Sequence, residues 1–190
     1  MRGFSAAFCL LLFLCSPAPA ATSAIGLVDY ARTPWGMGRA AVLQTLSPAA
    51  ADYRLSDGEP RFLGVNLGVS EALGRPYTLI GTYVFDRDDR LFIINIRPLT
   101  AAGELVPGSE LSALYAAMAA YHTREFGQPD EVDAACETFT NCRRTNWHLE
   151  DGESVLAVAE VLDPGNEQVY VSRYSKKLAD RLGRTQAEEK

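Results

Sequence analysis

The chain has 190 residues, 47% of them apolar, with 18 basic against 24 acidic side chains and a formal charge of −6. Its length sets an expectation of one compact domain rather than two. The acidic balance, with basic residues scattered instead of clustered, argues against nucleic-acid partners and against an anionic membrane surface.

Met1-Arg2 supplies a positive start, and Phe4 to Leu14 is apolar throughout except for Ser5. Small residues at Ala18 and Ala20 follow. A basic start, a short apolar stretch and a small-x-small site together predict a signal peptide over residues 1–20, cleaved after Ala20. The apolar stretch falls well short of the roughly 20 residues that a membrane-spanning helix needs. Bulky Leu14 stands before Cys15, where a lipoprotein signal carries a small residue, so Cys15 is not read as a lipid anchor. Residues 1–20 contain no twin-arginine pair. The expectation is an exported chain, periplasmic or secreted, with no membrane span. Removing residues 1–20 takes away Arg2, Cys9 and Cys15 and leaves 17 basic against 24 acidic residues, a formal charge of −7.

Residues 21–33 read as a lead-in, 34–183 as a single domain and 184–190 as a flexible polar tail. Val42, Leu43 and Leu46 recur at helical spacing after Thr33-Pro34-Trp35-Gly36-Met37, which predicts a helix from Met37 to Leu46 with Pro34 near its start. A turn over Ser56-Asp57-Gly58-Glu59-Pro60 precedes three strands. The first alternates Leu63, Val65, Leu67 and Val69 with Gly64, Asn66 and Gly68, giving one apolar and one small-residue face. Tyr77 to Phe85 and Leu91 to Ile96 are the others, joined by the polar hairpin tip Asp86-Arg87-Asp88-Asp89-Arg90.

A second helix follows, with Ser109 expected as its N-cap and Gly127-Gln128-Pro129 as its stop. Leu111, Leu114, Tyr115, Met118, His122 and Phe126 form its apolar stripe. Three more strands are expected at Arg144 to Glu150, Val155 to Leu162 and Val169 to Tyr174, then a short helix ending near Gly183. The order helix, three strands, helix, three strands, short helix indicates an α+β domain of two layers, an antiparallel sheet packed by helices. It has the look of a doubled unit, with little sequence likeness between its halves.

Cys136 and Cys142 are the two cysteines left after cleavage. In an oxidising compartment such a close pair reads as a disulfide closing a seven-residue loop. Catalytic redox pairs favour a two-residue spacing, so the pair is read as a structural staple.

Signatures of catalysis are missing: no His-Glu-x-x-His pair, no phosphate loop ending in Gly-Lys-Ser/Thr, and no complete Gly-x-Ser-x-Gly elbow around Ser70. No catalytic residue, cofactor or metal is assigned. Of two histidines, His122 lies on the helix stripe and is expected to be buried, neutral and structural. His148 alternates with Trp147 on a strand, so the two histidines fall on opposite sides of the sheet. Asp86, Asp88 and Asp89 are read as a solvated hairpin tip, lacking the Gly and distant Glu of a helix-loop-helix calcium site. Gly64, Asn66 and Gly68 mark close packing over a strand. Trp35 and Trp147 are read as core residues.

Trp35-Gly36-Met37 before a helix, a helix ending Glu125-Phe126-Gly127-Gln128-Pro129-Asp130, and Trp147 ahead of the Asp151-Gly152 turn together resemble small exported α+β proteins of bacteria that carry no assigned activity. The resemblance spans Trp35 to Tyr174 and departs at Gly38, where a capping Ser is more usual. It implies fold and export and brings no catalytic residue.

The function expected from these features is that of an exported accessory or binding module, its partner an envelope protein. The alternative is a small hydrolase using His148 or carboxylates such as Asp133, Glu137, Glu150 and Glu153. A pocket that gathers His148 with a carboxylate favours the hydrolase, and a bare apolar groove favours binding.

Overall fold

The computed structural model describes residues 33–46, 53–56, 61–136 and 139–180. The predicted signal peptide, nearly all of the lead-in and the tail at 184–190 lie outside these residues. Helix α1 (Arg39–Thr45) is followed by strands β1 (Tyr53–Ser56), β2 (Arg61–Ala72), β3 (Arg75–Phe85) and β4 (Leu91–Thr100). Helix α2 (Gly108–Phe126) then leads to β5 (Glu131–Ala135), β6 (Cys142–His148), β7 (Ser154–Val161) and β8 (Gln168–Ser175). Residues 176–180 are helical. The α+β class is as expected, but each half carries one strand more than the sequence pattern shows.

All eight strands form one antiparallel sheet in the order β1-β2-β3-β4-β8-β7-β6-β5. Two four-strand meanders thus meet at the β4–β8 pair, where Ile93 faces Tyr174 and Ile96 faces Val171. The halves repeat as architecture, a helix followed by four strands. The added strands are the outer ones, and each has a reason to escape pattern reading. β1 has only four residues. β5 reads Glu-Val-Asp-Ala-Ala, a poor strand composition, and it is interrupted by a register shift between Glu131 and Ala134. Tertiary bonds hold it instead: the Asp130 amide donates to the Asn146 carbonyl at 2.9 Å, and the Cys136–Cys142 disulfide ties its end to the start of β6. The two Cα atoms lie 5.6 Å apart, within the usual disulfide range.

One face of the sheet carries the core. Leu63, Val65, Leu79, Tyr83, Ile94, Ile96, Val158, Val171 and Trp147 point to it, and Val42 of α1 with Leu111, Leu114 and Met118 of α2 close it. Helix α2 crosses this face from β3 to β6. Glu110 in its first turn binds Arg75 at 2.9 Å and the Tyr77 hydroxyl at 3.3 Å. Further along, Tyr115 meets Thr145 on β6, and His122 lies beside Trp147. Phe126, placed on the stripe by its spacing, is partly exposed at the helix end.

Several local expectations are corrected by tertiary contacts. Ser109 lies inside α2; the cap position is Pro107, with no side-chain cap, and Glu110 in the first turn reaches Arg75 and Tyr77 of β3. Helix α1 starts at Arg39 because Gly36 and Met37 are already engaged with β4. The Gly36 amide donates to the Leu91 carbonyl and the Leu91 amide donates to Met37. Trp35 packs against the core at its edge, under the Arg173 guanidinium at 4.2 Å.

The hairpin tip is less solvated than its composition suggests. Asp86 is buried, accepting from the amides of Asp88 and Arg90 and from Arg90 Nε. Asp89 reaches α1, where it accepts from the Arg39 amide at 3.1 Å and from Arg39 Nε at 2.7 Å. It supplies from across the fold the cap that Gly38 cannot provide.

On β2 a bulge at Leu67 reverses the alternation, so Val69 is 68% exposed rather than in the core. Gly68 has φ +93 with open space where a Cβ would sit. It therefore serves the backbone turn of the bulge, not close packing. The displaced Leu67 side chain lies over Gly81, where a Cβ would meet Leu67 Cδ1 at 2.8 Å.

Candidate functional site

The reverse face of the sheet holds the candidate site, and it follows from the composition of β7. Every residue of that strand is buried. Leu156, Val158 and Glu160 point into the core, so Val155, Ala157, Ala159 and Val161 point to the reverse face. Two alanines in a central strand leave a trough. Its banks are the facing residues of the neighbours: Arg144, Asn146 and His148 on β6 lie opposite Ala159, Ala157 and Val155. Tyr170, Ser172 and Tyr174 of β8 stand on the other side of the same three residues.

At one end this trough deepens into a cleft of about 230 Å³, lined by Glu131, Arg144, Asn146, His148, Val155, Tyr174, Lys176, Ala179 and Asp180. Glu131 belongs to β5, and Lys176, Ala179 and Asp180 to the helical turn after β8. The lining is polar and carries both signs of charge.

Two groups in it are buried without partners among the described residues: Arg144 Nε and Asn146 Oδ1. Asn146 is only 4% exposed. Its Nδ2 donates to Glu131 Oε2 at 2.6 Å, which fixes the amide's orientation and makes Oδ1 the unmatched atom. A buried acceptor without a donor costs about 1–3 kcal/mol, so each such atom calls for a partner, be it a water, an ion or a ligand.

His148 stands at the rim. Its Nδ1 is 3.2 Å from Asp130 Oδ2, and its amide donates to the same oxygen at 2.6 Å. The amide bond from His148 is the main reason the Asp130 carboxyl sits below the usual aspartate range. Asp130 orients the imidazole, but His148 and Asp130 side chains are 56% and 49% exposed.

His122 lies on the opposite side of the sheet, fully buried, with Trp147 at 5.9 Å and Phe126 stacked at 6.0 Å. Its Nδ1 donates to the Met118 carbonyl at 2.7 Å, since a carbonyl can only accept. Burial pulls its pKa down to about 4 against a smaller opposing pull from that carbonyl, so the ring is neutral at pH 7. The two histidines share no site.

Two further polar clusters sit on the covered face and act as struts. Glu160 accepts from Ser112 Oγ and Arg143 Nε, both at 2.5 Å, and the Arg143 guanidinium lies over the Tyr115 ring at 4.4 Å. Ser154 Oγ accepts from Trp35 Nε1 and Arg173, both at 2.9 Å, and donates to Asp151. Both clusters join distant segments of the chain to the sheet.

Sequence reasoning singled out His148 but neither Arg144 nor Asn146. The available signal was the small-residue alternation Val-Leu-Ala-Val-Ala in β7, which reads as an ordinary buried strand until its neighbours are known. Asp133, also a candidate, faces the covered side through Tyr115; Glu137 lies outside the described residues. Glu150 and Glu153 are not part of the cleft. Among the described residues no group of three or more metal-ligating side chains gathers, and no helix is long and apolar enough to cross a membrane. Comparison with protein-family models, with curated proteins and with solved structures gives no match.

Proposed function

We propose that the chain is an exported binding module and that the cleft over β7 is its ligand seat. The supporting observation is the unmatched pair in the cleft, Arg144 Nε as donor and Asn146 Oδ1 as acceptor. A recognition site holds such groups ready for a ligand that completes them. Export rests on the signal-peptide pattern at residues 1–20 and on an intramolecular disulfide suited to an oxidising compartment; an intact mass beginning at Ala21 supports it. The seat is tested by titrating short peptides and small polar metabolites into the 15N-labelled chain. Shifts centred on Asn146, His148, Val155 and Tyr174 support the seat; shifts centred on β2–β4 instead place recognition elsewhere and overturn it.

A specific observation also favours the hydrolase reading: the cleft is no bare apolar groove, and it gathers His148 with Asp130, Glu131 and Asp180. In that reading Asp130 holds the His148 proton on Nδ1, and Nε2 acts as base on a water. Water is the nucleophile in this reading, since the lining contains no serine, threonine or cysteine for His148 to activate. The half-exposed imidazole leaves the reaction open to bulk solvent, which weakens electrostatic stabilisation, so binding is the preferred reading. Turnover of a substrate that His148→Ala abolishes while leaving its binding intact would reverse the preference.

A further inference from the structure

The cleft's two unmatched atoms also specify the chemistry of what fits them, an inference that rests on reading the cleft as a ligand seat. Arg144 and Asn146 are two residues apart on β6, so both side chains rise from one face, about 7 Å apart at their backbones. One offers an N–H and the other an oxygen acceptor. The acceptor cannot be exchanged for a donor by turning the Asn146 amide over, because Glu131 holds Nδ2 at 2.6 Å. A ligand must therefore bring an acceptor and an N–H donor on one side, at neighbouring positions.

An extended peptide residue has this property, since its own N–H and C=O point to the same side of the chain, the arrangement that antiparallel strands use to exchange bonds. Val155 is the one β7 residue that lines the cleft, so a peptide residue seated there lies over Val155 between His148 and Tyr174, beside Arg144 and Asn146. The charges around it are mixed, with Lys176 and Arg144 against Glu131 and Asp180. Such a rim suits a segment that is neutral or carries both signs better than a multiply charged anion.

We propose that the cleft recognises one residue of an extended peptide, its N–H bound by Asn146 Oδ1 and its carbonyl or terminal carboxylate by Arg144 Nε. The shared chemistry has two sources, an internal residue and a C-terminal one. Three probes resolve the matter: N-acetylalanine N′-methylamide, N-acetylalanine, and the methylamide of O-acetyl-lactic acid, in which an ester oxygen replaces the N–H. Each is titrated into the full chain while the Arg144 Nε–H, Asn146 side-chain and His148 backbone resonances are followed.

The two alanine probes are expected to move these resonances, and the ester probe to bind at least tenfold more weakly, about 1.4 kcal/mol. Tighter binding of N-acetylalanine identifies the C-terminal source, and tighter binding of the methylamide the internal one. Asn146→Leu should erase the preference for amide over ester, with its fold checked by the unchanged pattern of β2–β4 resonances. Equal affinity for ester and amide at the cleft overturns the inference and leaves the seat itself standing. Failure of all three probes to move the cleft resonances overturns it as well, while another small molecule that does move them keeps the seat.

Discussion

On the uncovered face, β2–β4 present Phe62, Ile80, Val84 and Ile93 interspersed with Thr82, Asn95 and Arg97, whereas β6–β8 present Arg144, Asn146, His148, Ser172 and Tyr174 around Ala157 and Ala159. The two meanders have the same strand count and the same preceding helix, so topology does not account for the difference. The first mixes apolar and polar side chains and has no run of alanines. In the second, a strand of small residues separates two taller banks, and polar atoms are left without partners. The helices differ in the same sense: α1 has 7 residues and α2 has 19. The longer helix runs from β3 to β6 and packs on β7 and β8, so most of its contacts fall on the second meander.

If the second meander is the more rigid support, its core should matter most. Trp147 is 1% exposed and donates from Nε1 to the Gly127 carbonyl at 3.0 Å. Trp147→Ala should cost about 3–5 kcal/mol in urea unfolding, whereas Phe62→Ala, at 38% exposure, should cost under about 1 kcal/mol. Similar losses for both would end the distinction between the halves.

His122 sharpens it with pH. Its folded-state pKa of about 4 lies below the unfolded value near 6.5, so the unfolded chain takes up the proton first as pH falls. The buried neutral ring is therefore fully tolerated above about pH 6.5, and stability is lost as pH drops from there toward 4. The loss attributable to this residue is about 3 kcal/mol. The difference in unfolding free energy between wild type and His122→Gln should therefore change by that amount between pH 7 and pH 4. A constant difference would show that the ring titrates normally.

The disulfide fastens the outermost strand of the second meander. Cys136→Ser with Cys142→Ser should leave the fold intact and lower its unfolding free energy by about 2 kcal/mol, the entropy of a loop this short. Hydrogen exchange should quicken first in β5 and only weakly in β2–β4. Thiol titration of the denatured, unreduced protein should find no reactive thiol among Cys136 and Cys142.

The smallest effect is expected in the first half. Asp89 has φ +60, so Asp89→Gly keeps the backbone at ease while removing the cap on α1. The loss should be about 1 kcal/mol, with faster exchange confined to the first turn of that helix. A loss as large as that at Trp147 would make α1 as important to the fold as α2.

The amino-acid sequence by itself determined the elements whose evidence is local. Helix α2 is marked by its stripe from Leu111 to His122 and its Gly127 stop, the six inner strands by alternation or by apolar and aromatic runs between turns, the staple by two closely spaced cysteines, and the burial of His122 by its place on that stripe. Tertiary structure decided everything that depends on a distant partner. Strand β5 exists because Asn146 and a disulfide hold it. Helix α1 is capped by Asp89 from a hairpin 50 residues away, and Val69 is turned outward by a bulge at Leu67. The cleft belongs to the same class. Arg144 and Asn146 are ordinary polar strand residues until β7 places alanines beside them and β5 brings Glu131 to one of their two amide atoms. A site formed by side chains from three strands and a helical turn has no local pattern, because its energetics lie in the atoms left unpaired after the sheet has assembled.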